Sequence, residues 1–133
     1  MPTDWEIETP IIISAAKCHN IDWAFVAAIR AQENGGEGKQ YGVLDGNGLT
    51  YNEQLSECCA TVAHRLESYP ANPLVRCYGA NGISRIRYTP SFISYFASIW
   101  CPIGAGNDPT GLNKNWYPNV LKFYQQFVAK DLA

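Results

Sequence analysis

Residues 22–36, DWAFVAAIRAQENGG, are the stretch that decides the fold. Asp22 is a good helix start, because its side chain can accept a hydrogen bond from a free backbone N–H of the first turn. Phe25, Ile29 and Glu33 follow at intervals of four residues and therefore lie on one face of the helix. The Asn-Gly-Gly that comes next favours the left-handed backbone that ends a helix. The stretch therefore predicts an inward-packing helix that ends at Glu33.

Glu33 continues the apolar face of this helix, which gives its carboxyl group an unusual setting. Partial burial and the negative end of the helix dipole both disfavour a charged carboxylate there. A carboxyl group that keeps its proton can donate it to the leaving oxygen of a glycosidic bond. Helical spacing by itself also fits an ordinary glutamate of the last turn with its carboxylate in water.

The residues around Glu33 resemble a known family. The run from Ala27 to Gly36 resembles the catalytic helix of lytic transglycosylases and goose-type lysozymes, in which Glu-Ser-Gly follows small and apolar residues. Asn34 stands here in place of the serine. The Gly-Val-Leu-Asp of residues 42–45 is similar to that family's Gly-Leu-Met-Gln. The resemblance implies a lysozyme-like domain that cleaves the glycan strand of peptidoglycan, with Glu33 as the general acid.

A second resemblance lies near the end of the chain. Residues 96–102, Asn107-Asp-Pro109 and the Asn-Lys-Asn-Trp of residues 113–116 are similar to the closing segment of phage- and bacteria-encoded lysozyme-like proteins. Trp100 stands where related glucosaminidases have a tyrosine, so a catalytic tyrosine cannot be carried over. Trp116 is interpreted as a packing residue.

Asp45 is the candidate for a second catalytic carboxylate. It lies in a turn-rich segment and could face Glu33 across a cleft, at a separation that differs between inverting and retaining hydrolases. In the lytic transglycosylases that the helix resembles, no such partner is needed, because the sugar's own C6 hydroxyl closes a 1,6-anhydro ring. Asp45 also fits an ordinary turn residue before Gly46.

Three residues are expected to contact the glycan. Tyr78-Gly-Ala-Asn81-Gly weakly resembles the Tyr-Asn-Ala-Gly loop that lines the transglycosylase cleft, although order and spacing differ. Tyr78 could stack on a sugar and Asn81 could bond an N-acetyl group, or both could be ordinary loop residues. Tyr41, in the segment after the catalytic helix, is the third expected contact.

The remaining pattern predicts a mainly α fold in a single domain, residues 1–133, with a small irregular or β-hairpin lobe after the catalytic helix. Besides the catalytic helix, we expect four helices and place the lobe and two loops between them. The helices are 10–19, 52–68, 90–100 and 116–130, the lobe is 38–52, and the loops are 77–82 and 102–115.

Composition limits the partners. The formal net charge of −2 lacks the basic footprint of a nucleic-acid-binding protein. The apolar runs are too short to cross a bilayer, and the start of the chain lacks the pattern of a secretion signal. We therefore expect no nucleic-acid partner and no membrane insertion, and we also expect a monomer. The resemblance implies action at the bacterial cell wall. Without a signal peptide of its own, the chain would suit a phage virion, a prophage lysis module or a secretion-associated protein.

The cysteines do not predict a metal site. The chain has five cysteines but no CxxC pair, and neither histidine lies at metal-ligand spacing from one of them. We expect no metal and no organic cofactor. Two alternatives to the enzyme remain open: a non-catalytic glycan-binding or structural module on the same scaffold, and a thiol enzyme that uses Cys18 or Cys77.

Overall fold

A computed structural model describes residues 4–33, 41–42, 49–101 and 111–132 of the chain. These residues are mainly helical and include a small β-hairpin, which confirms the predicted fold class. The elements, in chain order, are α1 (Trp5–Cys18), α2 (Trp23–Glu33), α3 (Tyr51–Ser68), β1 (Leu74–Tyr78), β2 (Ser84–Tyr88), α4 (Pro90–Trp100), a 3₁₀ helix (Leu112–Asn115) and α5 (Trp116–Asp131). None of the described helices is both long and apolar enough to cross a membrane.

Side-chain caps set where the helices begin. Thr50 and Glu53 form a reciprocal capping box at the start of α3, and Thr89 caps α4. The predicted start of α1 at residue 10 is wrong, because Asp4 caps this helix and Pro10 lies inside it. The extra turn is held by Trp5, whose ring contacts that of Phe127 at a centroid distance of 5.0 Å.

The hairpin lies where the sequence analysis predicts a loop. β1 and β2 pair antiparallel, with Leu74 opposite Tyr88 and Tyr78 opposite Ser84. It follows α3 and not α2, and residues 38–40 and 43–48 of the predicted lobe lie outside the described residues. The Asn81-Gly82 pair, a common hairpin-turn signal, could have revealed it, because Gly82 adopts the left-handed conformation.

The centre of the core is α2. Its residues 24–30 are all buried, so other elements cover it on every side. The ring of Phe25 alone contacts four aromatic rings, at centroid distances of 5.1–6.2 Å. These rings come from the second strand and from the two last helices: Tyr88, Phe92, Phe96 and Tyr124.

The two ends of α2 have different neighbours, because α5 runs alongside it in the opposite direction. Trp116, at the start of α5, contacts Glu33 at the end of α2. Tyr124, further along α5, contacts Asp22 just before α2. The hairpin joins the Asp22 end, where Arg87 bonds Asp22. An 11-residue helix is about 16 Å long, so the hairpin and Glu33 lie well apart.

We expect Phe25→Ala to lower the free energy of unfolding by about 3–5 kcal/mol, because it removes the ring on which four others pack. Urea denaturation measures this loss. Phe123→Ala is the matched control, since Phe123 is only partly buried against the core and should cost clearly less. Equal losses from the two variants would contradict a core centred on α2.

Candidate active site around Glu33

The carboxylate of Glu33 is held by two indole groups. Trp116 Nε1 donates a hydrogen bond to Glu33 Oε1 at 2.9 Å, and Trp100 Nε1 lies 3.4 Å from the same oxygen. The two indoles come from the last residue of α4 and the first residue of α5. A partly buried carboxylate oxygen at the end of α2 therefore faces two donors that carry no charge.

Packing fixes both indoles in place. The ring of Phe96 stacks on Trp100 at a centroid distance of 5.3 Å and on Trp116 at 6.0 Å, with interplanar angles of 25° and 24°. Phe96 is itself fully buried and contacts Phe25 in the centre of the core. The donors that meet Glu33 are thus pre-oriented by the hydrophobic core.

Gly42 is the third residue that packs against the Glu33 side chain, after the two tryptophans. A Cβ atom added to this residue would lie 2.5 Å from Cδ and 2.7 Å from Oε2 of Glu33, far inside van der Waals contact. Its φ of +65° is also a conformation that favours glycine. The Gly-Val-Leu-Asp segment therefore begins with a residue that must lack a side chain, because its backbone packs directly on the carboxylate.

A partly buried chain of hydrogen bonds runs beside the site. Arg30 donates to both carboxylate oxygens of Glu8, at 2.8 and 3.2 Å. Tyr51 donates its hydroxyl proton to Glu8 Oε1 at 2.7 Å, and the hydroxyls of Tyr41 and Tyr51 are 2.6 Å apart. The chain joins α1, α2 and α3 to the residue that precedes Gly42.

The charges in this chain are stable near neutral pH. Burial raises the pKa of the Glu8 carboxyl, but the hydrogen bonds from Arg30 and Tyr51 and the charge of Arg30 together lower it below its ordinary value. Burial raises the pKa of both tyrosines, so their hydroxyls keep their protons. Glu8 therefore stays an acceptor and the tyrosines stay donors.

Of the predicted site residues, the structure brings Glu33 and Tyr41 into one region. Tyr41 is 0% exposed and its hydroxyl is bonded to Tyr51. This burial does not agree with the expected contact between Tyr41 and substrate. Asp45 lies outside the described residues.

The other two predicted contacts lie at the far end of α2. Tyr78 is 72% exposed, at the end of β1, and Asn81 is exposed in the hairpin turn. Gly79, between them, packs against the backbone of Leu132 at the end of α5. The structure therefore does not bring Tyr78 and Asn81 together with Glu33.

Sequence reasoning missed the donors to Glu33. The sequence pattern predicts only a packing role for Trp116 and marks Trp100 only as a departure from a tyrosine, yet both indoles point at the carboxylate. Glu8, Arg30 and Tyr51 were not singled out either. No local pattern could have found the two tryptophans, because they lie 67 and 83 positions from Glu33 and meet it only through helix packing.

A second cluster of polar groups lies at the opposite end of α2. Arg87 and Asp22 form an ion pair at 2.7 Å with both side chains 4% exposed, and Arg87 also bonds Asp131. Burial raises the pKa of Asp22, against the opposing effects of Tyr124 and Arg87. This cluster ties the hairpin to α2 and α5, so we interpret it as structural.

Two thiols of the described residues lie in the core. Cys58 and Cys59 are buried, and burial raises the pKa of Cys59 to about 11 and that of Cys58 well above its ordinary value. Neither is a thiolate at neutral pH. Cys18 is exposed and Cys77 is partly exposed, so the alternative of a thiol enzyme that uses either of them stays open. Among residues 4–33, 41–42, 49–101 and 111–132, no three His, Cys, Asp or Glu side chains gather as metal ligands.

Comparison with family models, with curated proteins and with solved structures found no match for this chain. Its function is therefore inferred from the chemistry of the residues that surround Glu33.

We expect Gly42→Ala to destabilise the protein more than Gly82→Ala. Both glycines have positive φ, so alanine costs about 1–2 kcal/mol of backbone strain at either position. Only at Gly42 does the added Cβ also strike Glu33, whereas a Cβ at Gly82 meets nothing within 4 Å. Urea denaturation at neutral pH compares the two variants. Equal losses would contradict the close approach of Gly42 to the carboxylate.

The ion pair of Glu8 predicts a pH-dependent contribution to stability. Because the folded-state pKa of Glu8 is lowered, its contribution is present at neutral pH and is lost as pH falls through the ordinary range of a glutamate and below it. We expect Glu8→Gln to cost about 2–4 kcal/mol at pH 7 and much less near pH 3.

The matched control for Glu8→Gln is Glu57→Gln, an exposed glutamate on α3. This variant should change the free energy of unfolding little at either pH. A cost of Glu8→Gln that stays constant between pH 7 and pH 3 would show that its charge is not the source of the stabilisation.

Proposed function

We propose that this protein cleaves the glycan strand of bacterial peptidoglycan, at the β-1,4 bond between N-acetylmuramic acid and N-acetylglucosamine, with Glu33 as the general acid. The observation that carries the proposal is a carboxylate at the end of the central buried helix with one oxygen held by two indole donors. The resemblance of residues 22–45 to the catalytic helix and following segment of lytic transglycosylases supports it.

The geometry suits proton donation from Oε2. Oε1 accepts the hydrogen bonds from the indoles, so a proton placed on Oε2 leaves both of them intact. The backbone of Gly42 packs against the Glu33 side chain, and no side chain from this residue lies next to Oε2. An acid with one oxygen anchored and the other bearing the proton is oriented for transfer to a leaving glycosidic oxygen, and such transfer contributes about 10²–10⁴-fold to rate.

Two mechanisms follow the same first proton transfer. In lytic transglycosylation, the C6 hydroxyl of the muramic acid attacks C1 and closes a 1,6-anhydro ring, and Glu33 takes up the hydroxyl proton. In hydrolysis, water attacks instead, and a second carboxylate acts as base or nucleophile. Asp45 is the proposed second carboxylate in the hydrolytic case.

Glu33→Gln tests the proposal on purified peptidoglycan. Wild type should release soluble fragments, and Glu33→Gln should release them about 10²–10⁴-fold more slowly, because the amide has no acidic proton but keeps the shape of the side chain. Glu57→Gln is the matched control, an exposed glutamate changed in the same way. It should keep full activity.

The products separate the two mechanisms and the rival function. Fragments lighter by one water than hydrolysed muropeptides indicate anhydro ends and a transglycosylase, whereas full-mass reducing ends indicate a hydrolase. A wild type that releases no fragments rules out the enzyme, and sedimentation of the protein with peptidoglycan would then favour a non-catalytic glycan-binding module. A fully active Glu33→Gln variant would show that Glu33 is not the acid.

A further inference from the structure

We infer that the hydrogen-bond chain Tyr41–Tyr51–Glu8–Arg30 is a positioning device that fixes the Glu33 carboxylate relative to the backbone of Gly42. The inference rests on the proposed function, because the position of the carboxylate matters most if Glu33 transfers a proton. The members of the chain do not touch substrate as acids or bases. Their proposed role is to act through Gly42 on the carboxylate.

The donors and acceptors of the chain have one possible order. An ionised Glu8 can only accept, so the 2.7 Å contact uses the hydroxyl proton of Tyr51. The oxygen of Tyr51 must then accept the proton of Tyr41 across 2.6 Å. Each hydroxyl has a single proton, so reversing either bond would leave Glu8 facing a lone pair. The chain is therefore directional from Tyr41 to Glu8.

Burial at the two ends of the chain favours this order of donors and acceptors. Tyr41 is fully buried and Arg30 is 6% exposed, so water competes weakly for their hydrogen bonds. Burial also raises the pKa of Tyr41 and of Tyr51, which keeps both protons in place. The two ends of the chain are therefore shielded from water, and Glu8 and Tyr51 between them are partly buried.

The chain reaches Glu33 by two routes that both start at Glu8 on α1. Arg30 lies three residues before Glu33 on α2, so its ion pair fixes the helix that carries the carboxylate. Tyr41 directly precedes Gly42, whose backbone packs on the Glu33 side chain. Because both routes meet at Glu8, the chain sets the distance between the carboxylate and the backbone that faces it.

Removal of the Tyr41 hydroxyl tests this link with little change in shape. We expect Tyr41→Phe to lower kcat about tenfold while KM changes less than twofold, because a misplaced acid slows proton transfer without removing a substrate contact. Tyr51→Phe breaks the same chain and should have a similar effect. The double variant should be no slower than either single variant, since the two hydroxyls act together.

Tyr124→Phe is the matched control. Tyr124 is also a buried tyrosine whose hydroxyl makes two hydrogen bonds, donating to Asp22 and accepting from the backbone N–H of Tyr88. It lies at the opposite end of α2, so its loss should lower stability while leaving kcat unchanged. Assays run well below the unfolding temperature of every variant keep the comparison free of unfolded protein.

A spectroscopic measurement tests positioning without activity. In ¹⁵N-labelled protein, each of the four tryptophans gives an indole N–H signal, and Trp116→Phe assigns the one that donates to Glu33. Glu33→Gln marks where that signal lies when the donor no longer meets a carboxylate. Tyr41→Phe should move the signal toward that position, and Tyr124→Phe should leave it in place.

The outcomes separate this inference from the proposed function. If wild type cleaves peptidoglycan and Tyr41→Phe changes neither kcat nor the Trp116 signal, the positioning role is overturned. If Tyr41→Phe and Tyr124→Phe lower kcat equally, the effect is general destabilisation, which also overturns it. If wild type is inactive, the proposed function fails, and the Trp116 signal alone decides: movement in Tyr41→Phe but not in Tyr124→Phe supports positioning, and any other result overturns it.

Discussion

The burial of α2 on every side is the constraint on which the other features depend. A helix whose residues 24–30 are all buried cannot present polar side chains along its length, so polar chemistry is concentrated at its ends and at Arg30. Asp22 lies before the first turn and Glu33 ends the last one. Four further helices and a hairpin supply the apolar surface and the hydrogen-bond partners that this burial requires.

The carboxylates at the two ends of α2 have different kinds of hydrogen-bond donors. Asp22 is bonded to Arg87, a full positive charge, and to the hydroxyl of Tyr124. In the described part of the chain, the donors to Glu33 are two neutral indoles. An arginine gives a buried carboxylate a charge-assisted hydrogen bond, whereas an indole N–H orients a carboxylate without supplying a counter-charge. We interpret Asp22 as structural because it ties the hairpin to α2 and α5, and the proposed chemical role belongs to Glu33.

Arg30 is the exception that links structure to the site. A guanidinium buried one turn before the end of α2 needs a partner, and Glu8 of α1 provides it with two hydrogen bonds. The same carboxylate then orders Tyr51 and, through it, Tyr41. Burial of α2 requires a partner for the charge of Arg30. The same partner, Glu8, also positions the backbone of Gly42 that faces Glu33.

The sequence by itself determined the mainly helical fold and the central helix with its end at Glu33, because periodicity and caps act between near neighbours. It placed Tyr41 close to the site but not inside the core, since spacing along the chain does not reveal which neighbours cover a side chain. Only the tertiary structure decided that Trp100 and Trp116 meet Glu33 and that the hairpin with Tyr78 lies at the other end of α2. Those contacts depend on how α4 and α5 pack around Phe25 and Phe96, and packing between distant segments leaves no mark in local sequence.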